Sequence, residues 1–580
     1  FDLEEHGASF LADVGRSLRA ARAVPAESRF LQAQLWDVGN PAAPVLARSA
    51  VRAFTPHEVR VRIGPDDLDW AALPEAFPVD ELPEQEEPHR LHVVFTDLRL
   101  RQEPQVGEIL LPKRGPSGEV RFPLLAGEPG ERIEARILVL HRNRVLQTAL
   151  LRAAVADPAA PGEERPVEVV PEVIARVRLD HLAGRSRFGA AVVLNHTGDG
   201  LARLTQIAGE RVDVSAPVGL DRAVAMLQAE LEAFIQDPAE TVALESAQMR
   251  ALLIGLARQG RTFYNAIVID QTGRAFAEAD RIQIVAAVPE AYLPVEFIYD
   301  RTAPRPDATL CPHARQALAG AACPDACRKH DDPAGVVCPL GFWCLTKVIE
   351  RHVHLPERAR EVRRDFALLR EPSPGQVDLG PLGNVTFAAS ARVDAFRPGM
   401  STEVFKSLRA ATRARVGQAK TWKKWVSEVR RLHPTLLVLL PHTFSDGGIE
   451  TLEVGRRAHL GAVDIAADHV SASPETLPIV LLLGCETGDP QLAFQKFPAA
   501  FRQSGAAIVL ATLTKVLGRH AAPVATRLVA ALVEQSRQRQ VTFGEVMLAM
   551  RRQLLLDGYP MVLALTAYGD ADWRFGAAGA

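Results

Sequence analysis

The sequence predicts an α/β C-terminal domain with a doubly wound, mostly parallel sheet, preceded by an N-terminal all-β, sandwich-like region. At 580 residues, the chain is too long for one hydrophobic core and must divide into domains. Its first third contains short runs of alternating and β-branched apolar residues, separated by Gly, Pro and Asp clusters, as in sandwiches and barrels. The remainder alternates aliphatic strands with segments of helical periodicity, which is typical of a parallel sheet covered by helices.

A stretch rich in Pro, Ala and Glu marks the predicted boundary between these parts. It reads ADPAAPGEERPVEVVPE over residues 156–172 and has the composition of a linker. We therefore expect a β-rich region for sensing or recruitment over residues 1–155 and the α/β domain over residues 173–580. A Cys-rich insertion lies inside the latter, at residues 311–344.

Composition and charge exclude several classes of function. Apolar residues make up 47% and charged residues 24%, which are ordinary globular values. Lys and Arg total 67 against 70 Asp and Glu, so the net charge of −3 does not favour nucleic acid or an anionic membrane as a partner. No apolar stretch approaches the roughly 20 residues that span a bilayer, and the first residues lack a signal-peptide pattern. Five of the six cysteines are clustered, which indicates intracellular metal or thiol chemistry, and we expect a cytoplasmic protein.

Two aliphatic strands are each followed by a reactive side chain. The runs TLLVLL (435–440) and LPIVLLL (477–483) are apolar on both faces, as central parallel strands must be. His442 follows the first and Cys485 the second, at the strand ends where open α/β sheets place their chemistry. An imidazole beside a thiol can take its proton and produce a nucleophilic thiolate. The alternative is a cysteine that only packs and a histidine that is a satisfied polar group.

Four segments together are similar to the CHAT family of caspase- and separase-like cysteine peptidases. These are LLVLLPHTF, PIVLLLGCETG, FPAAFRQSGAAIVLATL and, near the end of the chain, GDADWRF. The segment LPVEFIYD (293–300) resembles the early strand of that family, with Val295 in place of its usual Trp. The resemblance covers residues 173–575 and implies a caspase-like fold for the α/β domain.

The resemblance also implies hydrolysis of a peptide bond in a protein substrate. Cys485 would attack the carbonyl carbon, and His442 would act as general base and then as general acid. Backbone N–H groups of Cys485 and Thr443 would hold the oxyanion. Many members have Gly directly after the histidine, whereas this chain has Thr443, which still offers an N–H group. Relatives often act as latent effectors in bacterial signalling or defence, so a regulatory protein partner is expected; the alternative is an inactive scaffold or adaptor.

Four acidic residues near the pair in sequence are candidates for a pocket that accepts a basic side chain. They are Asp446, Glu450, Glu486 and Asp489. Each is more typical of a charged surface loop, so none is assigned to substrate recognition.

The Cys-rich insertion offers thiol and imidazole ligands for a structural metal ion. Its candidates are Cys311, Cys323, Cys327, Cys338, Cys344, His313 and His330. A structural Zn²⁺ takes four such ligands in a tetrahedron. We expect Zn²⁺ on Cys311, Cys323, Cys327 and Cys338, and we expect Cys344 to begin a packed helix. The spacing is irregular for a zinc ribbon, so the ligand set stays open, with unliganded thiols or an iron–sulfur cluster as alternatives.

A basic stretch with two tryptophans has two interpretations. Seven cations between residues 406 and 424, with Trp422 and Trp425, could track phosphates and stack bases. Two helices with solvated basic faces and inward-packed tryptophans explain the same pattern, and we favour them because the net charge is near neutral.

Overall fold

The computed structural model describes residues 28–48, 50–74, 76–77, 87–99, 102–156, 167–174, 186–196, 202–215, 220–235, 241–287, 291–328, 331–353, 379, 382–395, 397–446, 449–473, 476–484, 495–513, 518–536 and 541–575. These residues form two compact units. The first contains the described residues up to His141 and those of Thr148–Glu172. The second contains Arg142–Gln147 and the described residues from Val173 onwards.

Regular structure in the described N-terminal part of the chain consists of strands. They are β1 (Arg29–Asp37), β2 (Val45–Ala47), β3 (Ala50–Arg52), β4 (Pro56–Pro65), β5 (Ala71–Ala72), β6 (His89–Asp97), β7 (Gln105–Leu111), β8 (Val120–Leu125), β9 (Arg132–His141), β10 (Arg144–Ala156) and β11 (Glu168–Ile174). The last of these begins inside the stretch whose composition suggests a linker.

These strands form two sheets that contact each other through aromatic side chains. One sheet has the order β2-β1-β4-β8, with β5 paired to β1; the other has the order β11-β10-β9-β6-β7, with β3 paired to β10. Phe95 of β6 stacks on Phe122 of β8 with ring centroids 5.3 Å apart. Alternating buried positions on β4, such as Val59, Val61 and Ile63, fill the same core, as the period of two requires.

The second unit contains the remaining strands. They are β12 (Ala190–His196), β13 (Ala202–Ala208), β14 (Arg211–Ser215), β15 (Arg281–Ala286), β16 (Thr309–Leu310), β17 (Val336–Val337), β18 (Val348–Val353), β19 (Val385–Ala389), β20 (Val416–Ala419), β21 (Leu436–Leu440), β22 (His442–Asp446), β23 (Ile449–Val454), β24 (Ala458–Gly461), β25 (Ile479–Leu482), β26 (Ile508–Thr512), β27 (Val541–Thr542), β28 (Leu565–Gly569) and β29 (Arg574–Phe575).

Its described α-helices are α1 (Leu220–Ile235), α2 (Ala247–Ile267), α3 (Gln271–Glu278), α4 (Ala314–Gly320), α5 (Asp325–Arg328), α6 (Trp343–Thr346), α7 (Met400–Thr412), α8 (Trp422–Leu432), α9 (Lys496–Gln503), α10 (Gly518–Gln535) and α11 (Phe543–Leu556). Local sequence sets several boundaries. Thr421 caps α8 by accepting from Lys424 N, and Thr542 with Glu545 forms a capping box at α11.

An eleven-stranded mixed sheet organises this unit, in the order β14-β13-β12-β15-β18-β28-β26-β25-β21-β19-β20. Pairing is parallel among β12, β15 and β18 and among β26, β25, β21, β19 and β20. The antiparallel strand β28 separates these two parallel groups. The expectation of parallel strands is thus confirmed, although the sheet as a whole is mixed.

Hydrophobic cores lie on both faces of this sheet. Leu436, Val438 and Leu440 face one buried cluster, which includes α2, α10 and α11. Leu437 and Leu439 face a second cluster with α8 and α9. Since β21 is wholly buried on both faces, its continuous aliphatic run is explained by its central position.

One predicted strand is wrong. Residues 293–300, read as a strand from LPVEFIYD, contain a 3₁₀ helix at Val295–Phe297 instead. The segment packs on α2, where Tyr299 N donates to Gly260 O at 3.1 Å. Glu296 points into the core towards Arg351. Tertiary contacts therefore override the local β-propensity of this segment.

Candidate functional site

The carboxyl ends of three neighbouring strands meet at one edge of the eleven-stranded sheet. Strand β21 pairs in parallel with β19 on one side and β25 on the other. The backbone continues this pairing past the strand ends, because Ser390 N donates to Leu440 O at 2.8 Å and Leu483 N donates to Leu439 O at 3.0 Å. The predicted neighbouring positions of the two aliphatic strands are confirmed.

His442 begins a separate three-stranded sheet directly beyond β21. This sheet has the order β22-β23-β24, and His442 lies opposite Glu453 in its antiparallel register. The His442 side chain is buried, with 4% of the residue exposed. A buried imidazole at this position is compatible with a general base and with a structural histidine.

Thr443 lies beside the residue that precedes Cys485. A Cβ atom built on Gly484 would be 3.5 Å from Pro441 Cγ and 3.8 Å from Thr443 Oγ1. Gly484 is the last described residue of this strand end, and Cys485 lies outside the described residues. The predicted contact between Cys485 and His442 therefore stays a prediction, as does the role of the Thr443 N–H group.

The acidic candidates for substrate recognition remain unassigned. Glu486 and Asp489 lie outside the described residues. Asp446 is the last residue of β22, and Glu450 of β23 lies opposite Ser445 of β22.

Two further residues at this edge of the sheet, Ser390 and Glu453, are not among those that the sequence predicts for the site. Ser390 Oγ donates a hydrogen bond of 3.0 Å to Glu453 Oε1, and both residues are buried. The only local signal was the position of Glu453 within IETLEV, between Leu452 and Val454, which both pack in a hydrophobic cluster. Ser390 follows β19 and is 63 residues distant in the chain, so sequence spacing could not have linked them.

The Cys-rich insertion brings four sulfur atoms together. Strands β16 and β17 are parallel neighbours, and Cys311 N donates to Val337 O at 2.9 Å, which places Cys311 next to Cys338. Sγ–Sγ distances are 3.1 Å for Cys311–Cys327, 3.5 Å for Cys323–Cys338 and 3.9 Å for Cys327–Cys338. All four are free thiols, and Cys311, Cys327 and Cys338 form a buried group that could hold a metal ion.

These distances fit a tetrahedral ion after small adjustments. Metal–sulfur bonds of about 2.3 Å separate the sulfurs of a tetrahedral zinc site by roughly 3.8 Å. The three separations given above lie within 1 Å of this value. Cys311, Cys327 and Cys338 therefore form a group that could hold a metal ion, and Cys323 Sγ lies 3.5 Å from Cys338 Sγ at its edge.

Charge in the cluster is unevenly distributed. The hydrogen bond from Cys338, together with the charge of Arg301, lowers the pKa of Cys323 to about 6. Burial and the neighbouring Cys311 raise the pKa of Cys327 to about 12, and hydrogen bonds to Cys311 and Cys323 raise that of Cys338 well above its usual range. Arg301 Nη2 lies 3.5 Å from Cys323 Sγ and balances the thiolate charge.

The other candidate ligands lie apart from this cluster or outside the described residues. Cys344 is fully buried in the hydrophobic core, within the four-residue helix α6. His313 precedes α4 without capping it through its side chain, and His330 lies outside the described residues.

The two tryptophans of the basic stretch are not available for stacking on bases. Trp422 and Trp425 are buried in the hydrophobic cluster around α8. Trp422 Nε1 donates to Leu452 O and Ala458 O, and Trp425 Nε1 donates to His469 O at 2.7 Å. The interpretation of this stretch as solvated helix faces with inward tryptophans is confirmed.

Comparison with known proteins gives weak structural likenesses. No protein-family model and no curated protein sequence matches the chain. Among solved structures, the Arg-specific cysteine proteinase gingipain R is similar with a TM-score of 0.30 and 12% identity, over 61% of this chain and 76% of that one. Two structures of the Saccharomyces cerevisiae separase–securin complex give TM-scores of 0.28 and 0.29 at 10% and 9% identity. The match spans 66% of this chain but only 30% of the separase-complex chain. At such low scores these are likenesses only, and they assign neither a family nor an activity.

In the described part of the chain, every helix is too short or too polar to cross a lipid bilayer.

Proposed function

We propose that the chain is a cysteine endopeptidase in which Cys485 is the nucleophile and His442 the general base. One observation carries this proposal, the register between β21 and β25. Paired residues of these strands, such as Leu436 and Ile479, differ by 43 positions. His442 and Cys485 differ by the same number, so the pairing, continued three residues beyond Leu439 and Leu482, would set them side by side.

The proposed reaction has two stages. The His442 imidazole takes the thiol proton, the Cys485 sulfur attacks the peptide carbonyl carbon, and the C–N bond breaks as the imidazolium returns the proton to the leaving amine. A water molecule, deprotonated by His442, then hydrolyses the thioester and restores the thiol. Backbone N–H groups of Cys485 and Thr443 would stabilise the oxyanion in both stages.

We further propose that activity is latent until a protein partner binds. The basis is the resemblance of the sequence to effector peptidases, together with the presence of a separate β-rich unit that can recruit or sense a partner. The alternative function is an inactive scaffold of the same fold, for which Cys485 would be an ordinary thiol.

A survey of new protein N-termini in cells producing the full chain tests the peptidase. Cuts should appear with the wild-type chain and disappear with Cys485→Ala and with His442→Gln. Cys344→Ala is the matched control, because it removes a thiol that is buried in the hydrophobic core within α6, and it should leave the cuts in place. An identical set of N-termini in all four samples, combined with ordinary alkylation kinetics at Cys485, would favour the scaffold.

We also propose that Cys311, Cys323, Cys327 and Cys338 bind a structural Zn²⁺. Its support is the group formed by the Sγ atoms of Cys311, Cys327 and Cys338, with Cys323 Sγ 3.5 Å from Cys338 Sγ. Elemental analysis of the purified chain should give about one zinc per chain. Cys323→Ser and Cys338→Ser should each lose it, whereas Cys344→Ser should retain it; equal metal content in all variants would exclude this ligand set.

A further inference from the structure

A buried carboxylate lies next to His442 on the three-stranded sheet. Glu453 of β23 is directly opposite His442 of β22. Directly opposite residues of an antiparallel pair point to the same face, with Cβ atoms about 5 Å apart. Only 8% of Glu453 is exposed, which is unusual for a glutamate unless it has partners.

Those partners come from the strand ends around the candidate site. Ser390 Oγ donates to Glu453 Oε1 at 3.0 Å, and Ser390 is itself fixed by the bond from its N–H group to Leu440 O. Glu453 Oε2 lies 3.8 Å from Nε2 of His459, which is opposite Glu453 in β24. One carboxylate thus lies between two histidines, with a buried hydroxyl holding one of its oxygens.

The opposite face of the three-stranded sheet packs in a hydrophobic cluster. Leu452 and Val454, the neighbours of Glu453 in β23, pack in the hydrophobic cluster with Trp422. Because side chains alternate along a strand, Glu453 faces away from this cluster and towards Ser390. A carboxylate was not needed for packing, whereas a carboxylate beside an imidazole orients the ring and stabilises its protonated form.

We propose that Glu453 is a positioning residue for His442, held in place by Ser390. The carboxylate forms no covalent bond; it fixes the imidazole at the end of β21 and favours the imidazolium. This inference deepens the proposed function, in which His442 accepts the thiol proton of Cys485. His459, which lies opposite Glu453 in β24, is a second titratable group beside the same carboxylate.

Histidine titration by NMR tests the inference in the full-length chain. With ¹³C-labelled histidine rings, the His442 signal is identified by its absence in His442→Gln. Glu453→Gln should shift the titration midpoint of His442 to lower pH by about one unit, because the imidazolium loses its negative neighbour. Ser390→Ala should shift it less and in the same direction. Equal midpoints in the wild type and in Glu453→Gln would overturn the inference.

Glu450→Gln is the matched control. Glu450 lies on the same strand, three residues before Glu453 and so on the opposite face, and its replacement should leave the His442 midpoint unchanged. Circular dichroism checks that each variant folds. If Glu453→Gln does not fold, Ser390→Ala takes its place as the test. This variant keeps the carboxylate, and its His442 titration midpoint should still shift to lower pH.

The rate of Cys485 alkylation by iodoacetamide, measured against pH by peptide mapping, separates the two proposals. A rate that is the same in the wild type and in His442→Gln would contradict the peptidase and leave the NMR result on Glu453 intact. A rate that responds to His442→Gln but not to Glu453→Gln would contradict the positioning role alone. Glu453→Asp, which keeps a carboxylate, should recover part of the wild-type dependence of the alkylation rate on pH. A purely structural loss would not be recovered in this way.

Discussion

Glu296 and Arg351 form an ion pair in the core of the second unit, with Arg351 Nη2 2.7 Å from Glu296 Oε2. Both side chains are almost fully buried, with 1% or less of each exposed. The same guanidinium nitrogen donates to Leu293 O at 2.9 Å. Burial lowers the pKa of Arg351, but the Glu296 carboxylate more than offsets this and raises it well above the usual range, so the guanidinium stays charged.

Glu296→Gln should destabilise the protein strongly, because it leaves a buried cation without its counter-ion. We expect the free energy of unfolding to fall by about 3–5 kcal/mol in urea denaturation. The control is Glu245→Gln, which breaks an exposed pair with Arg315 and should cost about 1 kcal/mol or less. Similar losses for the two variants would contradict this reading of the buried pair.

A second buried pair lies on the opposite face of the same strand. Glu350 precedes Arg351 in β18, and its Oε2 atom lies 2.6 Å from Arg144 Nη2. Arg144 also reaches Asp570 at 3.2 Å and Asp572 at 2.8 Å. The GDADWRF segment, which carries part of the sequence resemblance, therefore has a structural function here, since its two aspartates hold a buried arginine.

Sequence periodicity could predict the central strands but not these ion pairs. Local sequence patterns predict the strands β21 and β25 and the helix α8, because their apolar residues follow the period of a buried strand or of an amphipathic helix. The four cysteines of the cluster were also close in sequence. Glu453 and Ser390, by contrast, meet only through the sheet topology. The segment around Glu296 was read as a strand because its contacts with α2 and Arg351 come from distant parts of the chain.

Gly260→Ala should destabilise the packing of α2 on the segment that contains Glu296. A Cβ atom at this position would overlap the carbonyl oxygen of Phe297 and lie 2.9 Å from Tyr299 Cβ. Alanine favours a helix over glycine by about 1 kcal/mol, so a net loss of about 1–3 kcal/mol in unfolding free energy would show that the contact dominates. Gly320→Ala, which meets no atom within 4 Å, should be neutral or slightly stabilising. Matching effects at the two sites would contradict the close approach.

Metal binding to the cysteine cluster should release protons. The pKa of Cys323 is near 6, so this thiol is largely ionised at pH 7, whereas Cys327 and Cys338 keep their protons because their pKa values are raised. A metal takes thiolates, so Zn²⁺ binding to the metal-free chain at pH 7 should release at least two protons and weaken as the pH falls.

Calorimetric titration in buffers of different ionisation enthalpy measures this release. Cys338→Ser should release fewer protons and bind more weakly, whereas Cys344→Ser should behave as the wild type. A heat of binding that does not depend on the buffer would contradict coordination by these thiols.

Cys344 should make the stability of the protein depend on alkaline pH. Burial raises the pKa of this thiol from an ordinary 9.0 to about 12. The folded state then holds a proton that the unfolded chain releases above pH 9, so this stabilisation is complete below pH 9 and is lost as the pH rises towards 12. The loss is about 1.4 kcal/mol per pH unit. Urea denaturation at pH 8 and pH 10 should show a larger decrease for the wild type than for Cys344→Ala. Titration of other groups affects both proteins equally and cancels, so identical decreases would mean that the thiol is not held protonated in the core.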